Sequence, residues 1–342
     1  MEHLQVCISA RKQEAEGIVS LELRDLNGLA LPAFTAGSHI DVHIAPNLTR
    51  QYSLFNSPDE SDRYCIAVLN QPDGRGGSKQ LHQQLHAGDE VTISAPRNAF
   101  KLDDSADHSV LIAGGIGITP IMSMALRLHQ EGRSFELHYC VRTSDRAAFT
   151  QQLKNSPFAR QVVFYVDDDP SLPKFDIRAL GERYHSDDEH LYVCGPGGFM
   201  DHVLEGARGH WEDSVMHTER FTPGPFIAKG EKEFTIKLAR SHKELSVPAN
   251  KSILNVLQES GMNVPSSCEQ GVCGTCIVNL LDGLVLQGGI DICPTRNTKK
   301  ACRLRCAAHA PAAPVSLWIY EHPHLSRALF LSTQKLKRTR LI

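Results

Sequence analysis

Three cysteines, Cys268, Cys273 and Cys276, stand in the run Ser266-Ser267-Cys268-Glu269-Gln270-Gly271-Val272-Cys273-Gly274-Thr275-Cys276. Few sequence features restrict a backbone so tightly. Four residues separate the first two cysteines and two separate the next pair. With a fourth thiolate further along, that spacing holds a [2Fe–2S] cluster of the plant type. A loop that wraps two irons and turns several backbone N–H groups toward sulfur needs small residues, and Gly271, Gly274 and Thr275 supply them. A zinc ribbon would pair two CxxC units, whereas here a single CxxC follows a CxxxxC. The pattern therefore favours the cluster over a zinc site or a set of buried structural thiols.

The totals leave room for more than this loop. A chain of 342 residues suffices for two or three domains. Lys+Arg 36 against Asp+Glu 39 is nearly balanced, so charge argues for neither nucleic acid nor an anionic membrane surface as partner. Ten cysteines in a long chain, several of them spaced like metal ligands, do not read as a secreted disulfide framework. The first residues are polar and lack an apolar signal core. No apolar run approaches the roughly 18 residues that suggest a membrane span. The expected setting is the reducing cytoplasm.

Residues 1–100 show short β-like runs: Cys7-Ile8, Ile18–Leu23, Ile40–Ile44, Gln51–Phe55, Tyr64–Leu69 and Glu90–Ser94. Turn residues break them up, and the first helical pattern comes at Ser78–His86. This texture predicts a small antiparallel barrel. It changes near Ser105. Strands are expected at Ser109–Ala113, Phe135–Val141, Val162–Val166 and His190–Cys194, alternating with helical stretches that begin with Pro120 to about Gln130. Such alternation implies an α/β domain with a largely parallel sheet. Thr222-Pro223-Gly224-Pro225 reads as a linker. Beyond it a hairpin is expected at Phe234–Leu238 and Glu244–Val247, then a helix over Ser252–Ser260 ending at Gly261.

Two glycine turns follow apolar strands. In Gly114-Gly115-Ile116-Gly117-Ile118-Thr119-Pro120, glycines allow close approach of a pyrophosphate and the helix N-terminus favours its charge. Thr119 is expected as N-cap and Pro120 as the first helical residue, although a plain tight turn would also satisfy the spacing. Cys194-Gly195-Pro196-Gly197-Gly198 follows another strand, and ligands gather at the carboxyl ends of such strands. Cys194 taken alone is equally a small buried residue. Earlier in the chain, Arg50 and Tyr52 share one face of a strand, with Ser53 beside them. Gly74-Arg75-Gly76-Gly77-Ser78 offers a nest for a phosphate with Ser78 capping the helix behind it. Singly, each is also read as a solvated strand or a flexible loop.

Together the ordered motifs RxYS, GRGGS, GGIGITP, CGP and CEQGVCGTC resemble the phthalate dioxygenase reductase family, which includes the reductase components of vanillate O-demethylases. The resemblance spans residues 1 to about 285. It implies a multidomain fold: an antiparallel β-barrel flavin domain (1–103), an α/β nucleotide-binding domain of ferredoxin-reductase type (104–222), a linker (223–230), a β-grasp [2Fe–2S] ferredoxin domain (231–320) and a basic tail (321–342). By the same resemblance Arg50, Tyr52, Ser53, Gly76, Gly77 and Ser78 would hold FMN. Phe221 would cover one ring face, unless it is ordinary core. Thr119 would lie where the nicotinamide approaches. Gly115 and Gly117 would contact the dinucleotide, and Cys194, Gly195 and Pro196 would border the nicotinamide. Cys268, Cys273 and Cys276 would ligate iron, with the fourth ligand near Cys306.

The implied activity follows from electron counting. NADH releases two electrons together as hydride, a [2Fe–2S] cluster accepts one at a time, and a flavin converts between them, so no acid–base pair of the protein is expected to be catalytic. Electrons would leave for a separate Rieske-type terminal oxygenase acting on aromatic compounds. The reductase is expected to be a monomer that docks transiently. Arg142 and Arg146 follow the second α/β strand, where a 2′-phosphate could be read; the resemblance implies NADH.

One region departs from the family. Cys306 is at plant-type distance from Cys276, yet 286–309 lacks the Cys-Cys-Ser-Arg-Ala-like segment of family members, and the chain runs on past the apolar ending at which they stop. The expectation is a coding sequence read out of frame from near 283–289. A two-nucleotide shift lets permitted codons spell the family segments and places a stop at about 321. Cys293 and Cys302 then compete with Cys306. Two rival functions remain: a flavin reductase or diaphorase without a working cluster, and a zinc-binding interaction module.

Overall fold

The computed structural model describes residues 3–45, 48–72, 74, 76–184, 188–221, 233–239, 241–248, 251–262, 264, 277–282, 302–305 and 316–320. They fall into two compact units, 1–224 and 225–342. Among the described residues no helix is long and apolar enough to cross a membrane.

The first unit begins with an antiparallel sheet of β1 (His3–Ala15), β2 (Ile18–Asp25), β3 (Ser38–Ala45), β4 (Leu48–Ser53), β5 (Tyr64–Leu69), β6 (Glu90–Ser94) and β7 (Arg97–Asn98). Its order is β4-β3-β6-β1-β2-β5, with β7 beside β3. The residue after β4, Leu54, bridges Ile66 of β5, and Phe55 N–H donates to the Cys65 carbonyl at 3.0 Å. The two ends of the sheet therefore meet, and the sheet is a closed barrel. Val6, Ile8, Leu21, Leu23, Ile40, Val42, Ile66 and Ile93 pack together as its core, joined by Leu81 of the helix α1 (Gly77–Gln84).

The sheet that follows is wholly parallel, in the order β10-β9-β8-β11-β12. It consists of β8 (His108–Gly114), β9 (Ser134–Val141), β10 (Val162–Val166), β11 (Glu189–Cys194) and β12 (Met216–Glu219). The intervening helices are α2 (Ile118–Gln130), α3 (Thr150–Lys154), α4 (Ile177–Gly181) and α5 (Gly197–Ala207). Side chains alternate across this sheet as a two-residue period requires. Leu111, Ala113, Tyr192 and Cys194 pack with Ile121, Met124 and Leu128 of α2, while Val110, Ile112, Leu191 and Val193 pack with Ile177, Met200 and Val203 of α4 and α5. Cover on both faces explains why β8 reads as an unbroken apolar run. Ile18, Ala36, Phe55, Ala67 and Phe100 join the α2-side cluster, which seats the barrel on that face.

The second unit has a mixed sheet in the order β14-β13-β17-β15-β16: β13 (Phe234–Leu238), β14 (Glu244–Val247), β15 (Ile277–Asp282), β16 (Cys302–Arg305) and β17 (Ser316–Tyr320). Only the β13–β17 pair is parallel. The helix α6 (Ile253–Glu259) starts at a reciprocal cap in which the Ser252 hydroxyl accepts from Asn255 N–H and the Asn255 side chain from Ser252 N–H. It stops at Gly261, whose φ of 81° suits a glycine. This is the β-grasp arrangement expected of the third domain. Ser316–Tyr320 forms its middle strand.

Two expected caps differ. α2 begins at Ile118, with Gly117 before it, so Thr119 lies in its first turn and donates its hydroxyl to the Ile116 carbonyl at 3.1 Å. α1 begins at Gly77, and Ser78 accepts a hydrogen bond from Gln71 N–H at 3.0 Å, tying the preceding loop down instead of capping the helix. In both cases the glycine ahead of the hydroxyl residue takes the turn, and the hydroxyl is drawn into the helix. Arg75, residues 222–232 and 321–342, and Cys268, Cys273, Cys276, Cys293 and Cys306 lie outside the described residues.

Candidate functional site

The site is built where β4 of the barrel meets the carboxyl ends of β8, β11 and β12. Arg50 and Tyr52 are partly buried on β4, and Ser53 at its end is buried. Burial pushes the Tyr52 phenol up, with Arg50 pulling the other way, so Tyr52 is a hydrogen-bonding group at neutral pH. Arg50 lies across the start of α1. A Cβ on Gly77 would sit 2.6 Å from Arg50 Cγ and Nε, so only glycine allows the guanidinium to lie against the first helical turn. Gly76 precedes it in the left-handed region at φ 78°. A cation beside unpaired N–H groups of an eight-residue helix suits a phosphate.

The two glycine turns of the parallel sheet touch each other. A Cβ on Gly117 would meet the Cys194 carbonyl oxygen at 2.3 Å and Gly195 N at 2.7 Å. Gly117 is thus required by contact between the two turns, whereas Gly115, at φ 52°, has nothing within 4 Å of its Cβ position and leaves its backbone open to a ligand. Gly195 packs on Phe199 of α5, and Pro196 stands as the residue before that helix. Cys194 is fully buried, and burial lifts its thiol well above the ordinary value, so it is no thiolate nucleophile. Thr119 is buried under the same turn. Phe221 is partly buried and packs on the α2-side core.

Glu219, His39 and Arg220 also stand at the site, although none carries a motif in the sequence. Glu219 ends β12 opposite Cys194. Ser53 Oγ donates to Glu219 Oε2 at 3.3 Å, which joins the barrel to the parallel sheet. Burial raises the Glu219 carboxyl to about 8, against the Ser53 hydrogen bond, which lowers it. His39 Nδ1 of β3 lies 4.0 Å from Glu219 Oε1, yet burial, assisted by the charge of Arg97, lowers the imidazole to about 4. Between those values both groups are uncharged, so this contact is not an ion pair. His39 Nε2 and Arg220 Nη1 are buried without a hydrogen-bond partner among the described residues. Arg220 Nη1 is 3.8 Å from the Cβ position of Gly197, at the start of α5, while its other nitrogen donates to Asp201 at 2.5 Å. A partly exposed cation with one buried, unused donor beside a helix start suits an anionic dinucleotide. Arg142 is exposed after β9, and Arg146 pairs with Glu16 at 3.7 Å.

In the second unit, β15 and β16 pair antiparallel with Ile277 opposite Arg305 and Leu280 opposite Cys302. Ile277 directly follows Cys276 in the chain, and Arg305 directly precedes Cys306.

A closed barrel meeting the carboxyl ends of a parallel sheet, followed in the chain by a mixed sheet with a plant-type cysteine run, defines an oxidoreductase that moves electrons from a pyridine nucleotide to an iron–sulfur centre. Residues 111–205 match the oxidoreductase NAD-binding domain, and residues 236–310 match the 2Fe-2S iron-sulfur cluster binding domain. The chain belongs to the phthalate dioxygenase reductase family. It is 46% identical over 281 residues, 82% of this chain and 88% of the relative, to a vanillate O-demethylase oxidoreductase of Pseudomonas sp. (strain HR199 / DSM 7063). It is 40% identical over 281 residues, 82% and 87% of the two chains, to the phthalate dioxygenase reductase of Burkholderia cepacia. A solved structure of phthalate dioxygenase reductase, described as modular for electron transfer from pyridine nucleotides to [2Fe–2S], superimposes with a TM-score of 0.68 at 36% identity, covering 93% of this chain and 98% of that one. The chain is therefore an NADH-dependent iron–sulfur flavoprotein reductase whose cofactors are FMN, NADH and a [2Fe–2S] cluster.

Proposed function

We propose that this reductase is the electron-transfer component of an oxygenase system, serving as a monomer a separate Rieske-type terminal oxygenase that acts on aromatic compounds. The relatives named for vanillate O-demethylation and phthalate dioxygenation support that direction. The observation that carries the reading is the Ser53–Glu219 hydrogen bond, which brings the barrel strand and the carboxyl ends of β11 and β12 to one place.

Arg50 and the backbone of Gly76, Gly77 and Ser78 would hold the FMN phosphate, with Tyr52 and Ser53 along the ring and Phe221 over one face. Gly115, the Gly195-Pro196 turn and Arg220 would hold NADH, with Gly117, Thr119 and Cys194 keeping the two turns in register. FMN, when bound, converts a two-electron donor into single electrons for the cluster. The protein's part is placement, exclusion of water and control of one proton. A neutral Glu219 keeps a fixed negative charge out of the site and stores a proton on its carboxyl next to Ser53 Oγ. Buried Cys194 packs against Gly117 and fixes the spacing of the two strands.

Cys268, Cys273, Cys276 and Cys306 are proposed as the iron ligands. The β15–β16 register favours Cys306 over Cys302. Arg305 and Ile277, the chain neighbours of Cys306 and Cys276, share a rung, whereas Cys302 pairs with Leu280 further along the ladder. Anaerobic titration of purified protein with NADH tests the whole reading. Bleaching of the flavin band together with a ferredoxin-like EPR signal is the expected result. Flavin bleaching without iron or labile sulfide would instead define a flavin reductase, and a colourless zinc protein would overturn the assignment.

A further inference from the structure

At the other end of β11 and β12 stands a cluster that hydride and electron transfer leave unused. His190 is the second residue of β11 and is buried; His217 is the second residue of β12. Asp103 comes from the connector between β7 and β8. His217 Nε2 and His190 Nδ1 face each other at 3.0 Å, and one ligand atom from each of the three residues lies within 4.8 Å of the others. The positions are braced. His217 stacks on Tyr192 with ring centroids 4.5 Å apart and planes 14° apart, and Asp103 N–H donates to the Tyr192 hydroxyl at 2.8 Å. Ser105 holds one oxygen of Asp103, through its N–H at 2.9 Å and its hydroxyl at 2.6 Å.

We propose that Asp103, His190 and His217 form a binding site for a divalent transition-metal ion of the zinc class. Two imidazoles and a carboxylate are a recurrent donor set for such ions, and neutral imidazole is their commonest ligand. With metal–ligand bonds of about 2.0–2.1 Å, tetrahedral ligand atoms stand about 3.3 Å apart. The two imidazole nitrogens are already near that separation, and rotation of the Asp103 carboxylate closes the third position. The fourth position is left to water. The ion would clip the connector from the barrel onto the β11–β12 edge of the parallel sheet, two residues before Glu219. The alternative occupant of the same geometry is a proton shared between the two rings.

The test incubates the full-length holoprotein with zinc, removes excess by gel filtration, and measures zinc per chain and its X-ray absorption edge. His217→Gln and Asp103→Ala are the variants, and their retained flavin spectrum certifies folding. The expected result is about one retained zinc with nitrogen and oxygen scatterers near 2.0–2.1 Å, and affinity lower in both variants by at least the roughly 10–100-fold that an outer-shell change costs. Zinc should raise the thermal midpoint of the wild type and not that of His217→Gln. No retained zinc, zinc held through sulfur alone, or equal zinc in wild type and both variants would overturn the site.

Discussion

Glu219 is the residue on which the site's pH behaviour turns. Its carboxyl is raised by burial to about 8, so the protonated form prevails at neutral pH and is lost as pH rises through that value. Reduction of the flavin by NADH is expected to fall with it. Glu219→Gln should remove this break from a stopped-flow pH profile, because an amide keeps the shape and cannot titrate. A break that survives in the variant would place the titrating group elsewhere. Gly117→Ala tests a different property. The added methyl meets the Cys194 carbonyl at 2.3 Å, and overpacking of this kind costs about 1–3 kcal/mol. We expect a lower thermal midpoint for the flavin-bearing unit and weaker NADH saturation.

At the scale of elements, β9 carries a half-buried polar network whose cost is repaid only while it is charged. Glu136 Oε1 lies 2.9 Å from His138 Nε2, accepts from Arg183 at 2.8 Å, and also accepts from the Tyr184 hydroxyl. Burial pushes the Glu136 carboxyl up, but these partners outweigh it and hold it at about 2. A depressed carboxylate stabilises the fold above its unfolded pKa and loses that contribution as pH falls through the folded value. Stability should therefore decline between about pH 4.5 and 2 by on the order of 2 kcal/mol, and Glu136→Gln should flatten that part of a denaturation series. Ser252→Ala, at the start of α6, is expected to cost about 1 kcal/mol, seen as an earlier loss of the second unit on heating. These elements also show what the sequence made legible. Tyr64–Leu69, Glu90–Ser94, Val162–Val166, Phe234–Leu238 and Glu244–Val247 have the expected bounds, because polar or turn-forming residues flank most of these β-rich runs. β12 was missed. Its four residues, Met216, His217, Thr218 and Glu219, carry little apolar signal, since two of them contact groups on other strands instead of filling the core. β1 was seen only as Cys7-Ile8, because exposed polar residues occupy much of its length.

For the whole molecule, the order of the motifs leads to an expectation of three modules, and the chain divides into two compact units, the first of which holds both the barrel and the parallel sheet. What joins the modules was not legible. Ser53 and Glu219 are separated by 166 residues, and neither position looks special until the barrel is seated on the parallel sheet. The fourth iron ligand is the sharpest test at this scale. Cys306→Ser should abolish the EPR signal while NADH still bleaches the flavin, and Cys302→Ser should leave the signal intact. If the reading frame breaks near 283–289, sequencing of both strands across codons 280–310 will show it, and protein from the restored frame should gain cluster content. Barrel closure has a consequence for synthesis. His3 pairs with Ser94, and Gln5 Nε2 donates to Thr92 Oγ1, 87 residues along the chain. The β1–β6 rungs thus cannot form until the sixth strand is made, so barrel closure is a non-local and late step of folding that leaves one edge of β1 open until then.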